Sequence, residues 1–174
     1  FITPALIVLN CAALLPIAAR CGEREVFQTP GNGQNFGVWR ITNEPEVRHW
    51  ANYHNIRCWS ADGRFLCYAR DTENKRGAEV FLYDAHEDVR RRIDSGALPR
   101  WAHRHGWLFY RHLRRDEKDA LISDIVWLDV TSGQRRVLAS IPGEVELGEP
   151  DFEDQWLYGN LLLRGKDKAA GVQK

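Results

Sequence analysis

The chain has no net charge, because 24 Lys and Arg are matched by 24 Asp and Glu over 174 residues. Without a field of one sign, nothing gathers nucleic acid or an anionic membrane from a distance. Basic clusters do occur at Arg90 to Arg92, Arg111 to Arg115, and Arg135 with Arg136. The longest is followed by Asp116, Glu117 and Asp119, which makes it a solvated loop rather than a nucleic-acid surface. Long apolar runs are also scarce. Ala5 to Ala19 spans fifteen residues, too few for a comfortable transmembrane helix. Reactive signatures are missing too: there is no G-x-S-x-G, no H-E-x-x-H and no P-loop. Gly31-Asn32-Gly33 opens no dinucleotide fingerprint, since Phe36 occupies its last glycine position. Four cysteines lack metal spacing and define neither a zinc site nor a disulfide framework.

What is present suits one folded domain, with 44% hydrophobic and 11% aromatic residues to build a core. Ala5 to Ala19 has the length of the h-region of a secretory signal, and Ile17-Ala18-Ala19 would serve as its cleavage site. The first residue is Phe1, and no basic n-region is visible. A lipoprotein signal does not fit, because Arg20 precedes Cys21 and Asn10 precedes Cys11. The expectation is a signal-peptide remnant over residues 1–21, hence a periplasmic or extracellular protein without a stable transmembrane anchor. A buried strand or helix of the domain is the alternative.

The chain repeats. Trp59 and Trp101 lie 42 residues apart, as do Tyr68 and Tyr110. Val80-Phe81-Leu82-Tyr83-Asp84 falls on Ile125-Val126-Trp127-Leu128-Asp129 at an offset of 45, and Arg90 to Ile93 falls on Arg135 to Leu138 at the same offset. The three extra residues belong to the charged stretch between the blocks, where a loop tolerates them. A third copy begins at Glu149-Pro150-Asp151-Phe152, with Phe152 in the place of the tryptophan, and Val38 to Thr42 looks like the last strand of a preceding unit.

Repeats of about 40 to 45 residues with four short strands are the signature of propeller blades. The reading is therefore all-β: two complete four-stranded antiparallel blades, at about 56–94 and 98–139, with partial blades at each end. The propeller region runs over 22–163, and 164–174 forms a disordered tail. Strands are expected at Ile56 to Trp59, Arg64 to Arg70, Ala78 to Asp84 and Val89 to Ile93. In the second blade they fall at Leu98 to Trp101, Gly106 to His112, Ser123 to Asp129 and Gln134 to Ala139. Phe65-Leu66-Cys67-Tyr68 and Trp107-Leu108-Phe109-Tyr110 are apolar on both faces, so they must be covered on both sides. Trp59, Trp101 and Trp127 sit at repeat positions and are read as core.

Ser60-Ala61-Asp62-Gly63 has the chemistry of a type I turn closed by a left-handed glycine, and Asp129 to Gly133 that of its counterpart. With Ala61-Asp62-Gly63 as the loop, Cys67 turns away from Cys58, and the two are expected to be buried thiols. An Asp62-Gly63 loop would instead place them face to face.

The run Trp59-Ser60-Ala61-Asp62-Gly63-Arg64, with Val80 to Asp84 and Arg91-Arg92-Ile93, resembles the TolB-like, WD40-like propeller repeat. Tyr53-His54-Asn55-Ile56-Arg57-Cys58-Trp59 is most similar to the oligogalacturonate-lyase-like members of that group. Ala61 stands where the repeat usually has proline, and His103-Arg104-His105-Gly106 replaces the second Asp-Gly turn. Closed propellers need at least four blades, so the resemblance implies a fragment of a larger propeller, or a subunit closed by further blades or by self-association.

Two functions follow from it. The first is a non-catalytic binding scaffold for protein or oligosaccharide, with no cofactor. The second is part of a metal-dependent polysaccharide lyase. There, imidazoles hold manganese, which neutralises a uronate carboxylate so that the neighbouring proton can be removed. His54 is the metal candidate that the resemblance suggests, and His49 lies in the same connection. His103 and His105, spaced to project to one side of a strand, are the second candidate pair, with His112 nearby.

Overall fold

The computed structural model describes residues 19–20, 24–28, 35–52, 55–72 and 77–162. Among these, every regular element is a β-strand. The first unit is built from β4 (His49–Trp50), β5 (Phe65–Asp71), β6 (Ala78–Asp84) and β7 (Val89–Ser95), with β1 (Ala19–Arg20) outside β7. The second is β8 (Ala97–Trp101), β9 (Trp107–Arg115), β10 (Leu121–Asp129) and β11 (Arg135–Pro142), in sequence order across the sheet. A third unit contributes β12 (Glu144–Pro150) and β13 (Leu157–Leu162), while β2 (Arg24–Gln28) and β3 (Asn35–Trp39) form a separate hairpin. All pairings are antiparallel. The fold is thus all-β, two four-stranded propeller blades with parts of others.

The repeat is physical as well as textual. A bulge shifts the register between Val80 and Phe81 in the first unit, and another lies between Ile125 and Val126 in the second, at the same 45-residue offset. Turns repeat too. The carboxylate of Asp84 accepts the N–H groups of His86 and Glu87, and that of Asp129 those of Thr131 and Ser132. Each turn then closes on a left-handed residue, Asp88 at φ 54° and Gly133 at φ 74°. Aspartate mimics a backbone acceptor in this position, and glycine or aspartate tolerates the positive φ.

Alternation along the strands of the second unit gives it two apolar faces. Leu108, Tyr110, Val126 and Leu128 meet Phe65, Cys67, Val80 and Leu82 of the first unit. Phe109, Ile125 and Trp127 meet Val145 and Leu147 of the third. The outer face of the first unit carries Tyr68, Phe81 and Tyr83, with Ile41 and Leu66 packed against them.

Five expectations need correction. The innermost strand of the first unit is not continuous over 56–59. Trp50 pairs with Ala69, yet the next partner pair is Trp59 with Leu66, so nine residues on one side answer three on the other. Residues 51–52 and 55–58 belong to no strand, and Asn52 bonds Arg57 O and Pro99 O. The loop register is that of an Asp62-Gly63 loop. Trp59 opposite Leu66 puts Cys58 opposite Cys67; both are free thiols, with Cys67 buried and Cys58 half-buried. Gly63 has φ 71° and donates to Ser60 O at 3.0 Å, so the turn type holds while the strand register moves by one residue.

Trp59 is 40% exposed rather than core, against 2% for Trp101. In the third unit, Asp151 N–H bonds Trp156 O just as Ala102 N–H bonds Trp107 O, so Pro150 stands where Trp101 does. Phe152 lies in the turn, 77% exposed. The preceding strand is Asn35–Trp39, a few residues before its expected place. The expected signal segment up to residue 18 and the tail at 164–174 lie outside the described residues.

Candidate functional site

Of the sequence-derived ligands, His54 lies outside the described residues. His103 and His105 sit in the turn between β8 and β9, and the structure gives them separate partners. His103 Nε2 donates to Pro150 O at 3.1 Å, with its ring 4.6 Å from that of Phe152. His105 Nδ1 lies 2.7 Å from Asp154 Oδ2, and its ring stacks on Trp107 at 3.9 Å. Asp154 gathers the turn: its carboxylate also accepts the N–H groups of His103 at 2.6 Å and Arg104 at 2.8 Å. The side chain is fully buried by these contacts. Burial pushes its carboxyl up, but the donors from His103, Arg104 and His105 outweigh this and hold it below the usual carboxylate value. The result joins a turn of the second unit to a turn of the third. Among the described residues, no three His, Cys, Asp or Glu side chains gather as a metal would need. His103 and His105, aimed at a carbonyl and a carboxylate, do not form a donor set for manganese.

The other histidines serve local pairs. His49 Nε2 lies 3.1 Å from Glu44 Oε2, which also receives Arg90 Nη1 at 2.8 Å. Burial raises the Glu44 carboxyl, and Arg90, Arg70 and His49 together outweigh it and lower the value. His112, on β9, borders a cleft of about 510 Å³ between the first and second units, beside Arg48, Trp50 and Arg111.

A second polar cluster, missed in the sequence, lies along the inner strands. Asn52 is its centre. Its Nδ2 donates to Arg57 O at 3.0 Å and to Pro99 O at 2.8 Å, and its Oδ1 accepts Arg100 Nη1 at 2.9 Å. Arg100 is buried and reaches on to Leu147 O at 3.1 Å, while Arg57 Nη2 reaches Ala102 O at 2.6 Å. Glu149 Oε1 accepts the backbone N–H of Arg57 at 3.1 Å, so all three units meet here. Burial pulls the Arg100 guanidinium below its ordinary value, with the neighbouring Cys67, Glu149 and Glu146 acting the other way. Guanidinium groups are poor proton donors near neutral pH, so the cluster supplies fixed hydrogen bonds and positive charge rather than proton transfer. One signal was available: an arginine directly before Trp101, on a strand otherwise apolar, is a charge that must be satisfied inside.

No family model matches the chain, and no curated protein does. Among solved structures, one titled "Oligogalacturonate lyase in complex with manganese" aligns with 73% of the chain at 18% identity and a TM-score of 0.45. The chain spans 33% of the length of that protein.

Proposed function

We propose that the chain is a run of propeller blades that acts as a binding and interaction scaffold for protein or oligosaccharide, in the periplasm or outside the cell. Further blades of the same propeller, or self-association, complete the stack. The observation that supports this most is the use of the junction side chains. His103, His105, Asp154, Arg57 and Arg100 are engaged with backbone and side-chain groups of neighbouring units, an arrangement that sets the spacing of the units. The apolar surface at the third unit adds to it. Trp156 is 72% exposed, and Tyr158, Leu161 and Leu162 are exposed beside it, the kind of patch that a further sheet or a partner covers. Among the described residues, no helix is long and apolar enough to cross a membrane.

A metal-dependent lyase is the second reading, favoured by one feature. Arg57, three residues after His54, sends its Nη2 to Ala102 O at the inner edge, and guanidinium charge suits a uronate carboxylate. One experiment decides between the two. The purified chain is supplied with manganese and oligogalacturonate, its metal content measured with and without His54→Ala, and the ultraviolet absorbance of an unsaturated uronate followed. A scaffold gives saturable oligosaccharide or protein binding by calorimetry, no unsaturated product and no metal that depends on His54. Retained manganese lost in His54→Ala, together with product, overturns the scaffold reading.

A further inference from the structure

Cys58 and Cys67 oppose each other at the inner edge of the first unit. The pair Trp59 and Leu66 is flanked by two hydrogen bonds, Cys67 N–H to Cys58 O at 2.9 Å and Ser60 N–H to Phe65 O at 2.8 Å. Stepping one residue along each strand from that pair gives Cys58 against Cys67. Directly opposed residues of an antiparallel pair leave the sheet on the same side. The two cysteines make one of the two bonds of a hydrogen-bonded pair, Cys67 N–H to Cys58 O; in such pairs the Cα atoms lie about 5.5 Å apart, within the roughly 4.4–6.8 Å that a disulfide spans. Both sulfurs touch one residue: Asn52 Nδ2 is 3.8 Å from Cys67 Sγ, and Asn52 O is 4.0 Å from Cys58 Sγ.

The two thiols differ in access. Cys67 is fully buried between the first and second units, whereas Cys58 is half-buried. Burial, and then the neighbouring Cys58, push the Cys67 thiol far above its ordinary range.

We propose that Cys58 and Cys67 are a redox pair that closes to an intramolecular disulfide by exchange with an external disulfide. Cys58, the accessible thiol, gives up its proton and attacks one sulfur of that disulfide. The first external thiolate leaves and takes a proton, and a mixed disulfide forms at Cys58. Cys67 then gives up its proton and attacks Cys58 Sγ, and the second external thiolate leaves and is protonated. Two protein thiols are oxidised to one disulfide, and the external disulfide is reduced to two thiols. The bond ties residues 55–58 to β5, and with them Arg57 at the junction of the three units.

The test starts with the full chain, reduced, then exposed while folded to oxidised glutathione, denatured and alkylated. A Cys11→Ser/Cys21→Ser variant run beside it leaves only the proposed pair. Two alkylatable thiols disappear in the double variant, its mass falls by two hydrogens, and peptide mapping of both proteins joins Cys58 to Cys67. Cys67→Ser then keeps a glutathione adduct at Cys58, while Cys58→Ser leaves Cys67 unreacted until denaturation. The proposal is overturned if both thiols stay free, if the glutathione adduct persists at Cys58 with Cys67 intact, or if the linkage joins two copies. Because the wild-type peptide map shows the linkage by itself, a variant that fails to fold leaves the outcome decided.

Discussion

The two seams of the second unit are built differently, although one sheet supplies both faces. Toward the first unit it presents Trp101, Leu108, Tyr110, Val126 and Leu128 to a wall of Phe65, Cys67, Val80 and Leu82. Polar contacts cross that seam at two places: the Tyr110 hydroxyl donates to Asp94 at 2.8 Å and accepts from Arg135 Nε at 2.9 Å, and Asn52, Arg57 and Trp101 bond across its inner edge. Toward the third unit, Phe109, Ile125 and Trp127 meet little more than Val145, Leu147 and Leu157. Directional bonds fill in there: Arg111 Nη1 to Val145 O at 2.6 Å, Ser123 Oγ to Gly143 O at 2.7 Å, and the contacts of Asp154. A four-stranded sheet covers its neighbour with apolar area. Two strands have less to offer, and turn-borne hydrogen bonds take up part of the task.

The repeat tryptophans turn this contrast into a measurement. Trp59 and Trp101 each pair with a leucine at the start of the next strand, Leu66 and Leu108, so their backbone settings match. Trp101 is walled in and its Nε1 donates to Cys58 O at 2.7 Å, whereas Trp59 lies 40% exposed. Trp101→Ala should cost about 3–5 kcal/mol, and Trp59→Ala less than about 1 kcal/mol, in urea unfolding monitored by circular dichroism. Equal costs would mean that Trp59 is covered in solution, and the two indoles would then be alike.

Asp154→Ala should cost about 1–3 kcal/mol, because it leaves two turn N–H groups and His105 without their acceptor. The loss should be local. Hydrogen exchange should quicken at His103, Arg104 and β12 while β5 and β6 keep their protection. Asp154→Asn, which retains one acceptor and tolerates the positive φ of 58°, should lose less. Uniform quickening across both seams would show that the third unit is not held separately.

Acid and alkali should then divide the seams. Asp154 titrates below its ordinary value, so its contribution is complete above the unfolded value of about 4 and is lost as the pH falls through the lowered one. Tyr110 shifts the other way: burial, then its bond to Asp94, raise it. Its contribution is complete below about pH 10 and is lost as the pH rises through the raised value. Exchange at His103 and Arg104 should quicken first in acid, and exchange at Tyr110 and Leu82 first in alkali. The same order at both extremes would contradict the assignment of these groups to separate seams.

How much of this was legible follows from what each feature depends on. The strands of the second unit were readable because Trp107 to Tyr110 and Ile125 to Leu128 are apolar on both faces, and few other arrangements bury both. The aspartate turns were readable because their chemistry is local. The place of Asn52 was not, since it depends on its side chain reaching Pro99, 47 residues away. The cysteine register failed for a related reason. Both loops place Gly63 in a left-handed turn, and a one-residue difference shows only in the partner of Trp59. The histidines suggested a site because imidazole binds metals. Their actual acceptors, Pro150 O and Asp154, belong to a unit with no tryptophan at the repeat position and hence a weak signal.

The smallest expected effect lies at the rim of the second seam. Arg104 pairs with Glu153 across the same two turns that Asp154 joins, but both side chains are more than half exposed. Water screens such a pair, and ordering two long side chains offsets much of the attraction, so the net worth is about 0–1 kcal/mol. Arg104→Ala should therefore shift the unfolding midpoint only slightly and leave the exchange of the Arg104 amide unchanged, since that N–H is held by Asp154. Added salt should leave the variant where it is and lower the wild type by the same small amount. A loss comparable to that of Asp154→Ala would place the strength of the seam in its exposed charges and not in the buried carboxylate.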